Sequence, residues 1–117
     1  MICNAVIESV RLGIERGFML DSWIFVDYGG SGQGFGGYAL YLDKESRNFK
    51  SQQNYAGHWL YRCMEIAGVE SWKAMEGKAI RVRLSEEGLG GTIEAIGHII
   101  KDDWFCPGED FKKMREE

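Results

Sequence analysis

The sequence predicts an α+β domain in which an antiparallel sheet of about five strands packs on one main helix. Three observations predict it: two adjacent segments alternate apolar and polar residues, one later segment has helical periodicity, and further strand-like segments follow. The predicted order is β-β-β-α-β-β with a short C-terminal helix. Because 117 residues, 44% of them hydrophobic, suffice for one core, residues 1–117 are expected to form a single domain.

Three strands are predicted before the helix, over residues 6–14, 18–28 and 38–42. In the first strand the apolar side chains fall mostly on even positions, which indicates one buried face. The second strand alternates in the same way, but its other side also carries aromatic residues. Gly17 marks the turn between these two strands, so they are predicted to pair as an antiparallel hairpin.

The main helix is predicted over residues 54–67, where apolar residues recur at helical spacing. Asn54 suits the N-cap position, and Gly68 suits the left-handed position that follows a last helical turn. Two more strands are predicted at residues 79–84 and 92–100, joined by a hairpin loop. In the first of them Ile80, Val82 and Leu84 are expected to point inward, and in the second Ile93, Ala95, Gly97 and Ile99 are expected to share one face.

Composition limits the setting in which the protein acts. The net charge of −4 and the pI of about 5.2 argue against direct nucleic-acid binding, because backbone contacts need clustered Lys and Arg. Cys3, Cys63 and Cys106 form no C-x-x-C pair and no signal peptide precedes them, which predicts free thiols in the cytoplasm. No segment approaches the roughly 20 apolar residues of a membrane span, and no cofactor is predicted.

Glycine is concentrated in one short stretch, DYGGSGQGFGGYAL, which starts at Asp27. Six of the nine residues 29–37 are glycine. The run contains G-x-G-x-x-G, but it leads into a predicted strand rather than a helix, so a dinucleotide site is not predicted. Two interpretations remain open. Either the glycines allow a kink, a bulge or a close approach of Trp59 or Tyr55 to bare backbone, or a glycine-rich loop binds an anion through its N–H groups.

In the second interpretation the glycine-rich loop is part of a recognition surface. Ser31 and Gln33 would donate or accept hydrogen bonds, and the aromatic neighbours would stack on a ring. Arg81 and Arg83 share a face of their strand and would clamp a phosphate; the alternative is an ion pair with Glu94 across the hairpin. The predicted binding residues are Asp27, Tyr28, Gly29, Gly30, Ser31, Gly32, Gln33, Gly34, Phe35, Tyr38, Arg81 and Arg83.

No catalytic residue and no metal site is predicted. His58 and His98 have no nucleophile that the sequence places beside them, and Cys63 falls on the apolar face of the helix, which indicates a core position. Trp104 and Phe105 are expected to cover an edge of the sheet, because large aromatic side chains are mostly buried.

The open sheet is predicted to expose apolar surface. One long helix leaves Trp23, Phe25 and Tyr41 poorly covered. Patches of that kind usually meet a partner, and the twofold dimer is the commonest symmetric assembly, so we expect a homodimer.

The glycine run and two later segments, GVESWKAMEGKAIRVR and AIGHIIKDDWF, resemble a widespread family of small phage and prophage proteins. The resemblance covers nearly the whole chain, and its most specific part is the glycine motif with Tyr38. It implies a setting rather than a mechanism, namely an accessory protein in the cytoplasm of an infected bacterial cell. Such a protein would counter a host defence or serve phage DNA metabolism, and the resemblance carries over no catalytic residue.

Two functional hypotheses follow. The first is a non-catalytic binding protein that inhibits or sequesters a host defence component, either a host protein or a nucleotide signal. The second is a small enzyme of phage nucleotide or nucleic-acid metabolism in which the glycine-rich loop holds phosphate. The sequence has no recognisable nucleophile, carboxylate pair or metal-ligand pattern, which favours the first hypothesis.

Overall fold

An antiparallel sheet and two helices make up the fold. The structure is a computed structural model, and it describes residues 1–17, 19–41, 54–85 and 91–116. The predicted α+β class and short C-terminal helix are confirmed. The elements are β1 (Ile2–Glu15), β2 (Met19–Tyr28), β3 (Ser31–Gly36), β4 (Leu40–Tyr41), α1 (Tyr55–Ala67), a 3-10 turn (Lys73–Met75), β5 (Ala79–Leu84), β6 (Ile93–Gly97), β7 (Trp104–Phe105) and α2 (Pro107–Glu116).

The sheet contains more strands than the sequence predicted. Six strands lie in the order β3-β2-β1-β5-β6-β7, and the two-residue β4 pairs with β2 beyond the end of β3. The strands missing from the prediction are β3, which lies inside the glycine run, and β7, which is only two residues long. β3 was missed because glycine has a low strand propensity, so pattern alone indicates a loop there.

A bulge in β1 changes which of its side chains point to the core. The register against β2 shifts between Ile7 and Ser9, so Ala5 and Ile7 share the core face with Val10. One inserted residue reverses the alternation, which a strict period of two does not anticipate. Val6 is one of the even positions predicted to face the core, and this prediction is wrong, because its side chain lies on the opposite face and is 46% exposed.

The hairpin of β5 and β6 contains a second register shift, between Arg83 and Leu84. The side chains of β5 alternate as predicted, with the apolar even positions buried. In β6 the shift brings Ile93 and Ile96 to the core face, whereas Ala95 lies opposite Arg83 on the other face. Ala95 is also buried, but the prediction that Ile93 and Ala95 share one face is wrong.

Helix α1 begins and ends as predicted. The Asn54 side chain accepts a hydrogen bond from the Gly57 N–H at 2.8 Å, and Gly68 adopts a left-handed φ of 72° after the last turn. Helix α2 begins at Pro107 and buries Phe111 in the same core. The buried side chains of α1 are Tyr55, Ala56, Trp59, Cys63 and Ile66.

Trp59 lies at the centre of the core. Its ring stacks on Phe35 with the centroids 5.2 Å apart, and its indole Nε1–H donates to the Ser22 hydroxyl at 2.7 Å. Both residues of this hydrogen bond are buried, and among the described residues Ser22 is the only polar one in the buried class. The serine therefore satisfies a donor that has no access to water.

Replacing Ser22 by alanine is expected to lower the free energy of unfolding by about 1–2 kcal/mol, because the indole N–H of Trp59 is left without an acceptor. Urea unfolding followed by tryptophan fluorescence measures the change, with Ser9→Ala as an exposed serine control on β1. The Trp59→Phe variant completes a double-mutant cycle. In that variant, Ser22→Ala is expected to lower the free energy of unfolding by less than it does in the wild type. Equal costs in both backgrounds would contradict the role of this hydrogen bond.

Candidate functional site

The glycine-rich segment is a hairpin, so the predicted loop is wrong. Gly29 and Gly30 form the turn between β2 and β3, with φ of 66° and 85°, values that favour glycine. From Ser31 onward the chain pairs with β2 over six residue pairs. The Gly30 N–H at the turn donates to the Asp27 carboxylate at 3.2 Å. A carboxylate therefore already lies where a bound anion would need to be, which argues against phosphate at this turn.

The aromatic residues predicted to stack on a ligand point into the protein. Tyr28 and Phe35 are buried, and Phe35 is part of the cluster around Trp59. Tyr38 lies half-buried, with its ring centroid 5.5 Å from that of Trp59. Burial raises the pKa of the Tyr38 hydroxyl, so the phenol stays neutral at physiological pH. These rings stabilise the core.

Gln33 joins the edge strand β3 to the start of β6. Its side-chain Nε2 donates to the Tyr28 hydroxyl at 2.9 Å and to the Gly91 carbonyl at 3.0 Å. Its Oε1 accepts the Ile93 N–H at 2.7 Å. β7 pairs with β6 only at Ile96 and Gly97, so it does not reach Ile93. At Ile93 the Gln33 carboxamide makes the hydrogen bond that a neighbouring strand would otherwise make.

The two arginines have partners within the chain. Arg83 Nε lies 2.9 Å from Glu94 Oε1, so the predicted ion pair across the hairpin is confirmed. Arg81 donates from Nε to the His98 carbonyl at 2.8 Å and from Nη2 to the Lys101 carbonyl at 2.7 Å. Its guanidinium holds the turn between β6 and β7, a structural role that the sequence did not predict.

The glycines of β3 make room for two aromatic rings of β2. Trp23 and Phe25 stack with centroids 6.1 Å apart at an interplanar angle of 14°. A Cβ built on Gly34 would lie 3.1 Å from the Trp23 ring and 3.2 Å from the Phe25 ring. The expected close approach to bare backbone is present, but Trp59 and Tyr55 do not make it. The β3 residues on this side of the sheet are Gly32, Gly34 and Gly36.

The face of the sheet that carries these rings is called here the outer face. Both helices bury their apolar side chains in the core cluster on the opposite face. On the outer face Phe25 is 38% exposed, Trp23 is half-buried, and Ile2 and Val6 of β1 are exposed. We call these four residues the outer patch. Sequence alternation indicated Trp23 and Phe25, but the bulge concealed Val6.

His58 has a partner that the sequence did not indicate. Its Nε2 lies 2.7 Å from the Asp110 carboxylate of α2, and both side chains are half-buried. The imidazole also contacts Phe105 edge-on, so the pair fixes α2 against α1. Across the ranges that the structure describes, no three His, Cys, Asp or Glu side chains converge on a possible metal position.

All three cysteines lie in described parts of the chain and are free, as predicted. Cys63 is buried in the core, and burial raises the pKa of its thiol well above the usual value, which keeps it protonated and unreactive. Among the described helices, none has both the length and the apolar character needed to cross a bilayer. Phe18, the first residue of the second predicted strand, and the Tyr41 side chain, predicted to be poorly covered, lie outside the described residues.

The structure brings most of the predicted binding residues together on one hairpin, from Asp27 to Tyr38, while Arg81 and Arg83 lie on β5. β1 separates the two groups, because it lies between β2 and β5 in the sheet. A binding role for any of them stays a prediction. Comparisons of the chain with protein families, with curated proteins and with solved structures return no match.

Proposed function

We propose that the chain is a non-catalytic phage accessory protein that binds a host protein, a component of a defence system, through its outer face. The observation that carries the proposal is the outer patch, an apolar surface built on paired strands. Its exposed residues are Ile2, Val6 and Phe25, which lie on the paired strands β1 and β2 in the interior of the sheet. Apolar patches bordered by polar residues are typical of protein interaction sites.

The rings of the outer patch are held in place before any partner binds. The Trp23 indole N–H donates to the Asp21 carboxylate at 3.1 Å, and the ring lies against Phe25 and the glycine backbone of β3. A fixed ring loses little conformational entropy on association, and Trp is the residue type most enriched at interface hot spots. The patch therefore has the composition and rigidity of a protein-binding surface.

The alternative, in which the glycine segment holds phosphate for sequestration or for catalysis, has less support from the geometry. The N–H groups of β3 that face β2 belong to a strand ladder, and the turn amide of Gly30 is bonded to Asp27. Anion-binding nests need consecutive N–H groups that converge on one point. Arg81 donates from Nε and Nη2 to backbone carbonyls, and Arg83 donates from Nε to Glu94, so both guanidinium groups already have partners within the chain.

The test compares partner retention by three tagged proteins in bacterial host lysate. The double variant Val6→Lys/Phe25→Lys places charge in the outer patch, and Tyr61→Lys places the same charge at an exposed aromatic residue of α1. The wild type and the α1 variant are expected to retain one host protein stoichiometrically, and the outer-patch variant at least about tenfold less. Thermal melting monitored by circular dichroism checks that all three remain folded.

Equal retention of that host protein by the folded outer-patch variant would rule out the outer face as the binding surface. A second experiment incubates the wild-type protein with a nucleotide library to test the alternative, in which a nucleotide is bound or converted. Turnover of a nucleotide would favour the enzyme hypothesis, and stoichiometric nucleotide retention without turnover would favour a sequestered signal over a protein target.

A further inference from the structure

β1 extends well beyond the strand that pairs with its second edge. β5 pairs only with residues 2–6, and among the described residues the last hydrogen bond along that edge is donated by the Val10 N–H to the Glu76 carboxylate at 3.4 Å. β2 pairs with the other edge as far as Glu15. In the described chain no strand pairs with the second edge of residues 11–15, a segment we call the overhang. An open edge of this kind is a template for a further strand.

The open edge of the overhang presents apolar residues. The N–H of Val10 points away from β2, towards Glu76. Because backbone direction alternates along a strand, Leu12 and Ile14 direct their N–H and C=O groups the same way. Their side chains are 46% and 68% exposed, although they lie on the face that is buried elsewhere in β1. Within the described part of the chain, no strand pairs with this backbone edge, and both side chains are exposed.

The sequence of the overhang, Arg-Leu-Gly-Ile-Glu, is its own complement in antiparallel pairing. With a twofold axis at Gly13, Leu12 lies opposite the second copy's Ile14, and Arg11 lies opposite the second copy's Glu15. Opposite charges and apolar pairs facing each other across strands are favourable. The hydrogen-bond directions agree with this register. The N–H and C=O groups of Leu12 and Ile14 both point to the open edge, so Leu12 of one copy can exchange two hydrogen bonds with Ile14 of the second copy.

The groups at the axis are suited to this arrangement. A Cβ built on Gly13 would have no atom within 4 Å, so the centre of the pairing is open. Arg11 is exposed and uses Nε for the Asp21 carboxylate at 2.7 Å, which leaves its two Nη groups for a second carboxylate. Charge complementarity thus favours a second copy over an unrelated strand.

We propose that a second copy of this chain pairs with the overhang, β1 against β1 and antiparallel about Gly13, so that the two sheets become one. This goes beyond the proposed function and uses a different surface, since the outer patch remains open in such a dimer. It also gives the expected homodimer an interface other than Trp23, Phe25 and Tyr41.

The first test is the solution mass over a dilution series, measured by light scattering. The wild type is expected to have twice the 13.3 kDa mass of one chain. Glu15→Arg places a second positive charge opposite Arg11 and is expected to weaken the dimer at least about tenfold. Glu8→Arg makes the same charge change at the bulge, outside the overhang, and is expected to leave the dimer intact.

The second test uses complementary charges. Arg11→Glu and Glu15→Arg are each expected to be monomeric alone, but an equimolar mixture restores opposite charges at both ends of the pairing. The mixture is therefore expected to form a dimer that contains one chain of each variant. A wild type that stays monomeric, or a dimer that both single variants retain, would overturn the proposal.

The third test fixes the register. Opposite residues of a non-hydrogen-bonded antiparallel pair have Cα atoms about 4.5 Å apart, within reach of a disulfide. Gly13→Cys, in a chain with Cys3→Ser and Cys106→Ser, is expected to oxidise to a covalent dimer, and Ser9→Cys in the same background is not. Cross-linking at position 9 in place of position 13 would show that the pairing is not centred on Gly13.

Discussion

Gly36→Ala is expected to lower the free energy of unfolding by more than about 3 kcal/mol, enough to unfold many small domains. The φ of Gly36 is 149°, a conformation that L side chains rarely adopt. A Cβ there would overlap the Ser22 carbonyl oxygen and lie 2.9 Å from the Trp23 Cα. Both are backbone atoms of β2, so neither can move without disrupting the pairing that holds β3.

Gly32→Ala is the matched control for this change. It lies on the same strand and face, but its added Cβ would meet only the Val26 carbonyl oxygen, at 3.6 Å, an ordinary contact. Its expected cost is below about 1 kcal/mol. Chemical unfolding of both variants measures the difference. Similar midpoints for the two would show that β3 is not held against β2 as described.

Gln33→Leu is expected to cost about 2–4 kcal/mol, because it leaves the Ile93 N–H and the Gly91 carbonyl without their partner. Leucine keeps most of the side-chain volume, so lost packing contributes little. Thermal or urea unfolding measures the loss. If Gln33 instead faced a ligand, as the sequence suggested, the substitution would leave stability close to that of the wild type.

Two further variants separate the hydrogen bonds of Gln33. Tyr28→Phe removes only the hydroxyl that accepts from Nε2, so its expected cost is the smallest of the series. Gln33→Glu keeps an acceptor for the Ile93 N–H but loses the donor to the Gly91 carbonyl, so it is expected to lie between the other two. A different order of the three stabilities would contradict the bridging role.

Local signals allowed much of the fold to be predicted from the sequence. The α1 boundaries follow from Asn54 and Gly68, since a capping side chain and a left-handed glycine act within one helical turn. The hairpin of β2 and β3 was missed, although Gly29 and Gly30 between alternating segments are a recognised turn signal. The concentration of glycine beyond the turn obscured it.

Features that depend on distant parts of the chain were not accessible from the pattern. The bulge after Ile7 leaves no mark in the order of polar and apolar residues, so the outer position of Val6 was missed. Gln33 is indistinguishable from a surface amide until Gly91 and Ile93 are brought beside it by the fold. Alternation did predict the second apolar side of β2, with Trp23 and Phe25, and hence part of the outer patch.

The hydrogen bonds from Gln33 to Gly91 and Ile93 determine which parts of the protein unfold together. These bonds reach residues 58 and 60 positions further along the chain, so the N-terminal hairpin and the C-terminal half of the sheet share a contact of high sequence separation. Regions linked in this way open together rather than as separate cooperative units. The Ile93 amide therefore exchanges its hydrogen with solvent only when both halves come apart, and forming these bonds requires closure of a long loop, which slows folding.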